Sequence, residues 1–190
     1  MLLYENIVKE ENPVLRKKAE LVEIPPSKET IDTLKLMDEY LTNSYDSEIV
    51  KKYNLRPGVG IAAPQVGVSK RMFCIQAEDE KGEFHHLVVV NPKIISESAQ
   101  LTYLPSGEGC LSVDRDTKGL VMRHKKIKAR CHLYNFETKN FTEEVITLTG
   151  YLAIVFQHEY DHLDGVLFVD RINKENPFLI PDNAKPLEFK

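Results

Sequence analysis

The segment from Gly150 to Leu163 limits the folds open to this chain more than any other. The first half of the segment is apolar on nearly every side, which predicts a helix buried in the core instead of an amphipathic helix on the surface. Gly165 is placed to end that helix in a left-handed conformation. A chain of 190 residues, 42% of them hydrophobic, can enclose such a helix in one core. We therefore expect one domain over residues 1–190.

The patterns on the N-terminal side of this helix predict the elements that surround it. Ser27 can cap an earlier helix, whose apolar residues recur at helical spacing: Ile31, Leu34, Met37 and Leu41. Residues 71–130 contain short runs rich in Val, Ile and aromatic residues, namely MFCIQ, HHLVVVNP and IKARCHLYNF. Such runs are typical of strands. The sequence thus predicts an α+β fold, in which short, mainly antiparallel strands pack around the buried helix.

Residues 157–162, QHEYDH, place a His-Glu-x-x-His pattern on the predicted core helix. His158 and His162, four residues apart, point the same way and can hold one metal ion, while Glu159 reaches a metal-bound water as general base. The alternative is a surface helix with two solvated histidines, which the preceding apolar residues disfavour. Burial of these three side chains without partners would be costly, so the pattern predicts a metal site.

The residues alone leave the third metal ligand open. The extended pattern of many zinc proteases requires a histidine at position 168, which is Phe168 here. Glu175 and Glu188 lie in a tail whose prolines predict an extended chain without a helical frame. Cys110, flanked by glycine and serine, can offer a thiolate and complete a Cys-His-His set. The other two cysteines, Cys74 and Cys131, lie in apolar strand patterns and are expected to be buried thiols.

A third stretch, GVGIAAPQVG at 58–67, is rich in small residues and precedes a predicted strand. It lacks the Lys-Ser/Thr ending of a phosphate-binding loop. Two hypotheses remain: a tight turn, or a wall whose backbone meets an extended substrate and whose Gln65 donates to a developing oxyanion.

These stretches, in this order, resemble the three signature motifs of the peptide deformylases. The motifs are GVGIAAPQVG at 58–67, EGCLSV at 108–113 and QHEYDHLDG at 157–165, and NPVLRKKAELV at 12–22 resembles the family's N-terminal pattern. The extra residues before the first motif, the stretch SVDRDTKGLVMRHKKI and the non-helical tail resemble those of the longer bacterial class of this family. The resemblance implies a hydrolase that removes the formyl group from the N-terminal methionine of new polypeptides and releases formate.

Carried onto this sequence, the resemblance implies that Cys110, His158 and His162 bind the metal and that Glu159 handles the proton. It implies an oxyanion held by the metal, the Gln65 side chain and the Leu111 backbone N–H. The implied metal is iron(II). Zinc, nickel or cobalt are possible substitutes, and a Cys-His-His set suits zinc by ligand softness.

The resemblance also implies where the substrate binds. Val59 and Gly60, preceded by Gly58, would pair with the peptide backbone, and the methionine side chain would enter an apolar pocket. Helical geometry places three residues of the core helix beside the metal as walls of that pocket: Tyr151, Ile154 and Val155. Glu108 and Asp161 are further candidates to orient the ligands, although the sequence identifies no partner for either.

Net charge and hydropathy exclude some kinds of binding partner. A net charge of −4 and a pI near 5.9 argue against DNA or a phosphate backbone as substrate. The longest apolar run, 151–156, is too short to cross a membrane, and acidic residues near the N-terminus oppose a signal peptide, so we expect the protein to be in the cytoplasm. We also expect it to be a monomer. The basic run 123–130 is either the solvated face of a strand or a transient contact with ribosomal RNA.

Two rival functions share the same metal motif. A general endopeptidase would use the same ligand helix but cleave internal amides. A structural metal module would need four protein ligands and would leave Glu159 without a task.

Overall fold

The structure is a computed structural model and describes residues 1–189. Its α-helices are α1 (Lys28–Asn43), α2 (Ser47–Tyr53), α3 (Gly150–Leu163) and α4 (Phe168–Arg171). Its strands are β1 (Gly60–Ala62), β2 (Met72–Glu78), β3 (Phe84–Glu97), β4 (Leu101–Tyr103), β5 (Arg123–His124), β6 (Lys126–Tyr134), β7 (Phe141–Thr149) and β8 (Ala184–Pro186). Short 3-10 helices lie at Tyr4–Asn6, Pro13–Arg16 and Ala63–Val66. The predicted α+β class is confirmed.

The strands form two sheets. The larger has five strands in the order β1-β2-β3-β6-β7, all paired antiparallel. The smaller has the order β5-β4-β8, with β4 antiparallel to β5 and parallel to β8. β1 is therefore an edge strand, and this edge carries the glycine-rich stretch.

The predicted run that ends at Pro92 is only the first part of β3, which continues to Glu97. The pairing register with β6 shifts after Val90, where Asn91 adopts a positive φ of 51°. The Asn91 side chain binds both backbone groups of Val22, at 2.8 Å each. A bulge thus lets the strand pass a proline that the sequence marks as a separator.

The two faces of β2 pack against different helices. Met72 and Cys74 belong to the apolar cluster that includes α1, whereas Phe73 and Ile75 belong to the cluster that includes α3. The ring of Phe73 meets that of Phe156 on α3 edge to face, with centroids 5.0 Å apart. Because successive side chains of a strand point to opposite faces, an uninterrupted apolar run is needed where both faces are covered.

The predicted helix caps are present. Ser27 Oγ accepts a hydrogen bond from Thr30 N at 3.2 Å at the start of α1. Gly165, just beyond α3, has a φ of +74°, as predicted, and a Cβ there would lie 2.7 Å from the Arg16 backbone.

Two charged side chains, one just before β2 in the sequence and one just after it, contact the two ends of α3. Arg71 Nη1 donates to the Leu163 carbonyl at 3.1 Å and to Asp164 Oδ1 at 2.6 Å, at the end of the helix. At the beginning, Glu80 Oε2 accepts from Tyr151 N at 3.0 Å. A cation at the C-terminus and an anion at the N-terminus both oppose the helix dipole, so each contact stabilises α3.

The C-terminal segment contains no helix between residues 172 and 189, in agreement with the predicted extended tail. Its strand β8 lies along β4, and Phe189 packs edge to face on Tyr151, with ring centroids 5.2 Å apart. Among residues 1–189, no helix has the length and apolar character needed to cross a membrane.

Candidate active site

Helix α3 and the loop between β4 and β5 bring three ligand-type side chains together. One ligand atom from each of Cys110, His158 and His162 lies within 4.8 Å of the other two. Cys110 Sγ is 3.3 Å from His162 Nε2, and the two imidazole rings are 5.2 Å apart. Cys110 and His162 are buried, which follows from the apolar surroundings of α3.

The ring of His158 is held from two sides. Its Nδ1 lies 2.8 Å from Glu108 Oε2, so Nε2 is the nitrogen left to bind a metal. Phe168 stacks on the ring at 5.9 Å between centroids, with 24° between the planes. Phe168 occupies the sequence position where the zinc-protease pattern has its third histidine. Here the residue at that position packs on the ring of His158.

The charges around these ligands favour a thiolate. Burial raises the pKa of the Cys110 thiol, but the imidazoles of His162 and His158 outweigh burial and hold that pKa well below its usual range. Burial also raises the pKa of Glu108, but the Arg123 guanidinium outweighs it and lowers the value to about 2. Both groups are therefore anionic at neutral pH.

Glu159 is enclosed beside the ligands. The residue is 3% exposed, and its Oε2 has no hydrogen-bond partner among the described residues. Burial raises the pKa of Glu159 to about 7, although the neighbouring imidazoles act in the opposite direction. A carboxyl group with a pKa near neutrality can both take up and release a proton.

Gln65 faces the same group of side chains. Its Nε2 donates to Ser112 Oγ at 3.1 Å and lies 3.5 Å from Cys110 Sγ, while its Oε1 accepts from Ala62 N at 2.9 Å. These contacts fix which end of the amide points to the site. The Leu111 side chain lies close to Gly58: a Cβ added at residue 58 would be 3.0 Å from Leu111 Cδ1.

A cavity of about 230 Å³ opens onto these residues. Eleven of the twelve candidate site residues line it: Gly58, Val59, Gly60, Gln65, Cys110, Leu111, Tyr151, Ile154, Val155, His158 and Glu159. The twelfth, His162, is 1% exposed and lies beneath the cavity against Cys110. Three further residues line the cavity and were not predicted from the sequence: Tyr45, Arg56 and Leu104.

Arg123 has a role that was not predicted from the sequence. Its basic run was expected to be a solvated strand face or an RNA contact, and Lys126, Lys128 and Arg130 are indeed exposed. Arg123 itself is only 2% exposed and forms ion pairs with Glu108 and Asp161. A buried arginine at the start of a lysine-rich run has no distinguishing local pattern, so only the fold identifies it.

The arrangement fits a divalent metal ion. A thiolate and two imidazole nitrogens converge beside a carboxylate oxygen that lacks a partner, and soft and borderline ligands of this kind bind transition metals. Within residues 1–189, no fourth histidine, cysteine or acidic side chain joins the cluster. Glu175 and Glu188 are exposed and lie outside it.

The chain is similar to known proteins over most of its length. The family model described as polypeptide deformylase matches residues 4–178. Peptide deformylase 2 of Bacillus anthracis is 50% identical, covering 99% of this chain and all of the relative. The crystal structure of the peptide deformylase from Thermotoga maritima has a TM-score of 0.65 at 35% identity, covering 91% of this chain and 99% of that one.

A second solved structure, the actinonin-bound class I type b peptide deformylase of Acinetobacter baumannii, has a TM-score of 0.65 at 30% identity. It covers 91% of this chain and 99% of that one. The chain therefore belongs to the peptide deformylase family, the metal-dependent hydrolases that remove the N-terminal formyl group from newly made polypeptides.

Proposed function

We propose that Cys110, His158 and His162 hold one divalent metal ion and that deformylation takes place in the cavity above them. The observation that carries this proposal is the meeting of the three ligand atoms within 4.8 Å, on the floor of a cavity that Glu159 also lines. Three protein ligands leave a coordination position open, as catalytic sites require and closed structural sites do not. This favours an enzyme over a structural metal module.

Glu159 is the proposed proton carrier. When bound, the metal supplies Lewis-acid polarisation of the formyl carbonyl and an activated water. Glu159 takes the proton from the attacking water and passes it to the amine nitrogen as the C–N bond breaks, so that formate and a free N-terminal methionine leave. Its enclosed position and its pKa of about 7 suit both halves of this transfer.

Gln65 and Leu111 are the proposed oxyanion donors. The Gln65 amide is oriented by Ala62 and Ser112, so its NH₂ group is held on the side of Cys110, and Gln65 lines the cavity. Leu111 follows Cys110 directly and lines the same cavity, and its backbone N–H is the second proposed donor.

The substrate is an N-formyl-methionyl peptide. Gly58, Val59 and Gly60 precede or open the edge strand β1, so the peptide can add to that edge as a further strand. Tyr151, Ile154 and Val155 present one wall of the cavity from α3 and form the proposed pocket for the methionine side chain. Burial of an unbranched thioether against such a wall supplies binding energy.

Iron(II) is the proposed native metal, with zinc, nickel or cobalt as substitutes. The family resemblance supports iron, whereas the softness of the Cys-His-His set is compatible with each of these ions. We further propose that residues 1–190 act as one catalytic domain and as a monomer in the cytoplasm, where new polypeptides emerge. The exposed Lys125 and Lys126 support a transient, salt-dependent contact with the ribosome.

The proposal is tested by formate release from a formyl-Met peptide, with metal analysis of the same sample. We expect formate release and no cleavage of an unblocked protein, whereas cleavage of internal amides would favour the endopeptidase alternative. Cys110→Ala should lose both metal and activity. Full metal occupancy in that variant would remove Cys110 from the site.

A further inference from the structure

A continuous series of ion pairs connects His158 with the short helix α4. His158 Nδ1 lies 2.8 Å from Glu108 Oε2, and Glu108 accepts two hydrogen bonds from Arg123, at 2.8 and 2.9 Å. Arg123 Nη1 also donates to Asp161 Oδ2 at 2.6 Å. Asp161 in turn accepts two hydrogen bonds from Arg171, at 2.5 and 2.6 Å. We call these five residues the His158–Arg171 series.

Solvent reaches this series mainly at one end. The side chains of Arg123, Glu108 and Asp161 are 2%, 4% and 6% exposed, whereas that of Arg171 is 46% exposed. Without Arg171, the three buried charges would consist of two carboxylates and one guanidinium. Arg123 would then be the only cation shared between Asp161 and Glu108. Arg171 balances the buried charge and lets Arg123 stay bidentate on Glu108.

We propose that Arg171 is a positioning residue: acting through Asp161, Arg123 and Glu108, it holds His158 in its ligand orientation and slows release of the metal. The inference rests on the proposed metal set of Cys110, His158 and His162. Carboxylate partners of ligating histidines affect metal affinity by about 10–100-fold. Three residues lie between Arg171 and His158 in the series. We therefore expect loss of Arg171 to change metal affinity by an amount near the lower end of that range, about tenfold.

The test uses the full chain loaded with cobalt(II), a visible-absorbing substitute. The rate of cobalt release to EDTA and the visible absorption spectrum are measured for wild type, Arg171→Gln and Arg171→Lys. We expect Arg171→Gln to release cobalt about tenfold faster and to alter the spectrum, because the ligand field changes when His158 moves. Arg171→Lys should recover part of the difference, since it restores the cation but not the two-pronged contact.

Arg16→Gln is the matched control. Arg16 pairs with Asp170 on the same helix α4 at 2.5 Å, with similar exposure of both side chains, 43% and 41%. Loss of that pair should leave the release rate and the spectrum as in wild type. Equal acceleration in both variants would overturn the proposal, because it would show general loosening around α4.

The outcomes separate this inference from the proposed metal site. If wild type binds one cobalt that Cys110→Ala loses, and Arg171→Gln releases cobalt at the wild-type rate with an unchanged spectrum, the role of Arg171 is wrong and the metal site stands. If Cys110→Ala retains cobalt as wild type does, the metal site is wrong and the inference falls with it.

Discussion

The Glu159 carboxylate lies directly against the backbone of Gly60: a Cβ added at residue 60 would be 2.4 Å from Glu159 Oε1. Gly60 begins the edge strand β1, and Glu159 lies in the middle of α3. The strand proposed to pair with the substrate, β1, is thus in contact with the proposed proton carrier, and no space remains for a side chain at residue 60.

Gly60→Ala should therefore impair catalysis. The added methyl group must displace Glu159 or push β1 outward, so we expect kcat/KM for a formyl-Met peptide to fall by about 10²-fold or more, since proton transfer is worth about 10²–10⁴. Gly109→Ala is the control, because a Cβ there would meet only Arg56 Nη2, at 3.9 Å. A Gly60→Ala enzyme as active as Gly109→Ala would contradict the close contact.

Removal of the Glu159 carboxylate should separate metal binding from turnover. Glu159→Ala is expected to keep its metal, because the three proposed ligands remain, and to lose about 10²–10⁴-fold in kcat. Metal content and formate release are measured on the same preparation. A variant that deformylates at nearly the wild-type rate would exclude Glu159 as the proton carrier.

The identity of the metal should determine how the enzyme tolerates air. A thiolate such as that of Cys110 next to iron(II) is open to oxidation, whereas zinc and nickel forms have no comparable redox chemistry. Activity is followed in air for protein loaded separately with iron, zinc and nickel, and we expect only the iron form to decay. Equal survival of all three forms would argue against iron as the native metal.

Stability should depend on pH through a pair remote from the active site. His86 Nε2 lies 2.6 Å from Asp38 Oδ1, and this hydrogen bond raises the pKa of His86. A raised folded-state pKa adds stability below the unfolded value, about 6.5, and that contribution is lost as the pH rises through the folded pKa.

His86→Gln should therefore destabilise the protein more near pH 5.5 than near pH 8.5, by less than about 1 kcal/mol because the pair is partly exposed. Urea unfolding at both pH values measures the difference, and Asp38→Asn should reduce the same pH dependence. An identical loss at both pH values would mean that the charge of His86 does not contribute.

The sequence allowed the core helix to be predicted from end to end, because the first half of α3 is apolar on nearly every side and a left-handed glycine follows its last turn. The strand β7 gave no such signal. It lies at the edge of the large sheet, and five of its nine residues are threonine or glutamate, so the alternation of a half-buried strand is weak. Pairing with β6, which is non-local information, determines that strand.

Some residues of the candidate site could likewise be predicted from the sequence, and others could not. His158 and His162 are four residues apart in one helix, so their spacing was sufficient to place them on one face, with Glu159 next to the first of them. Arg123 and Arg171 were not recognised, because their importance depends on Asp161 and Glu108, which come from different parts of the chain. Such long-range ion pairs leave no periodic pattern in a single sequence.

The two contacts at the ends of α3 fix the position of the helix along strand β2. A helix of 14 residues is about 21 Å long, and a strand of seven residues is about 23 Å long. Arg71 precedes that strand and Glu80 follows it, and they hold opposite ends of the helix, so α3 cannot slide along β2 without breaking one of these contacts. The positions of His158 and His162 along the sheet are therefore set by two contacts that lie outside the site itself.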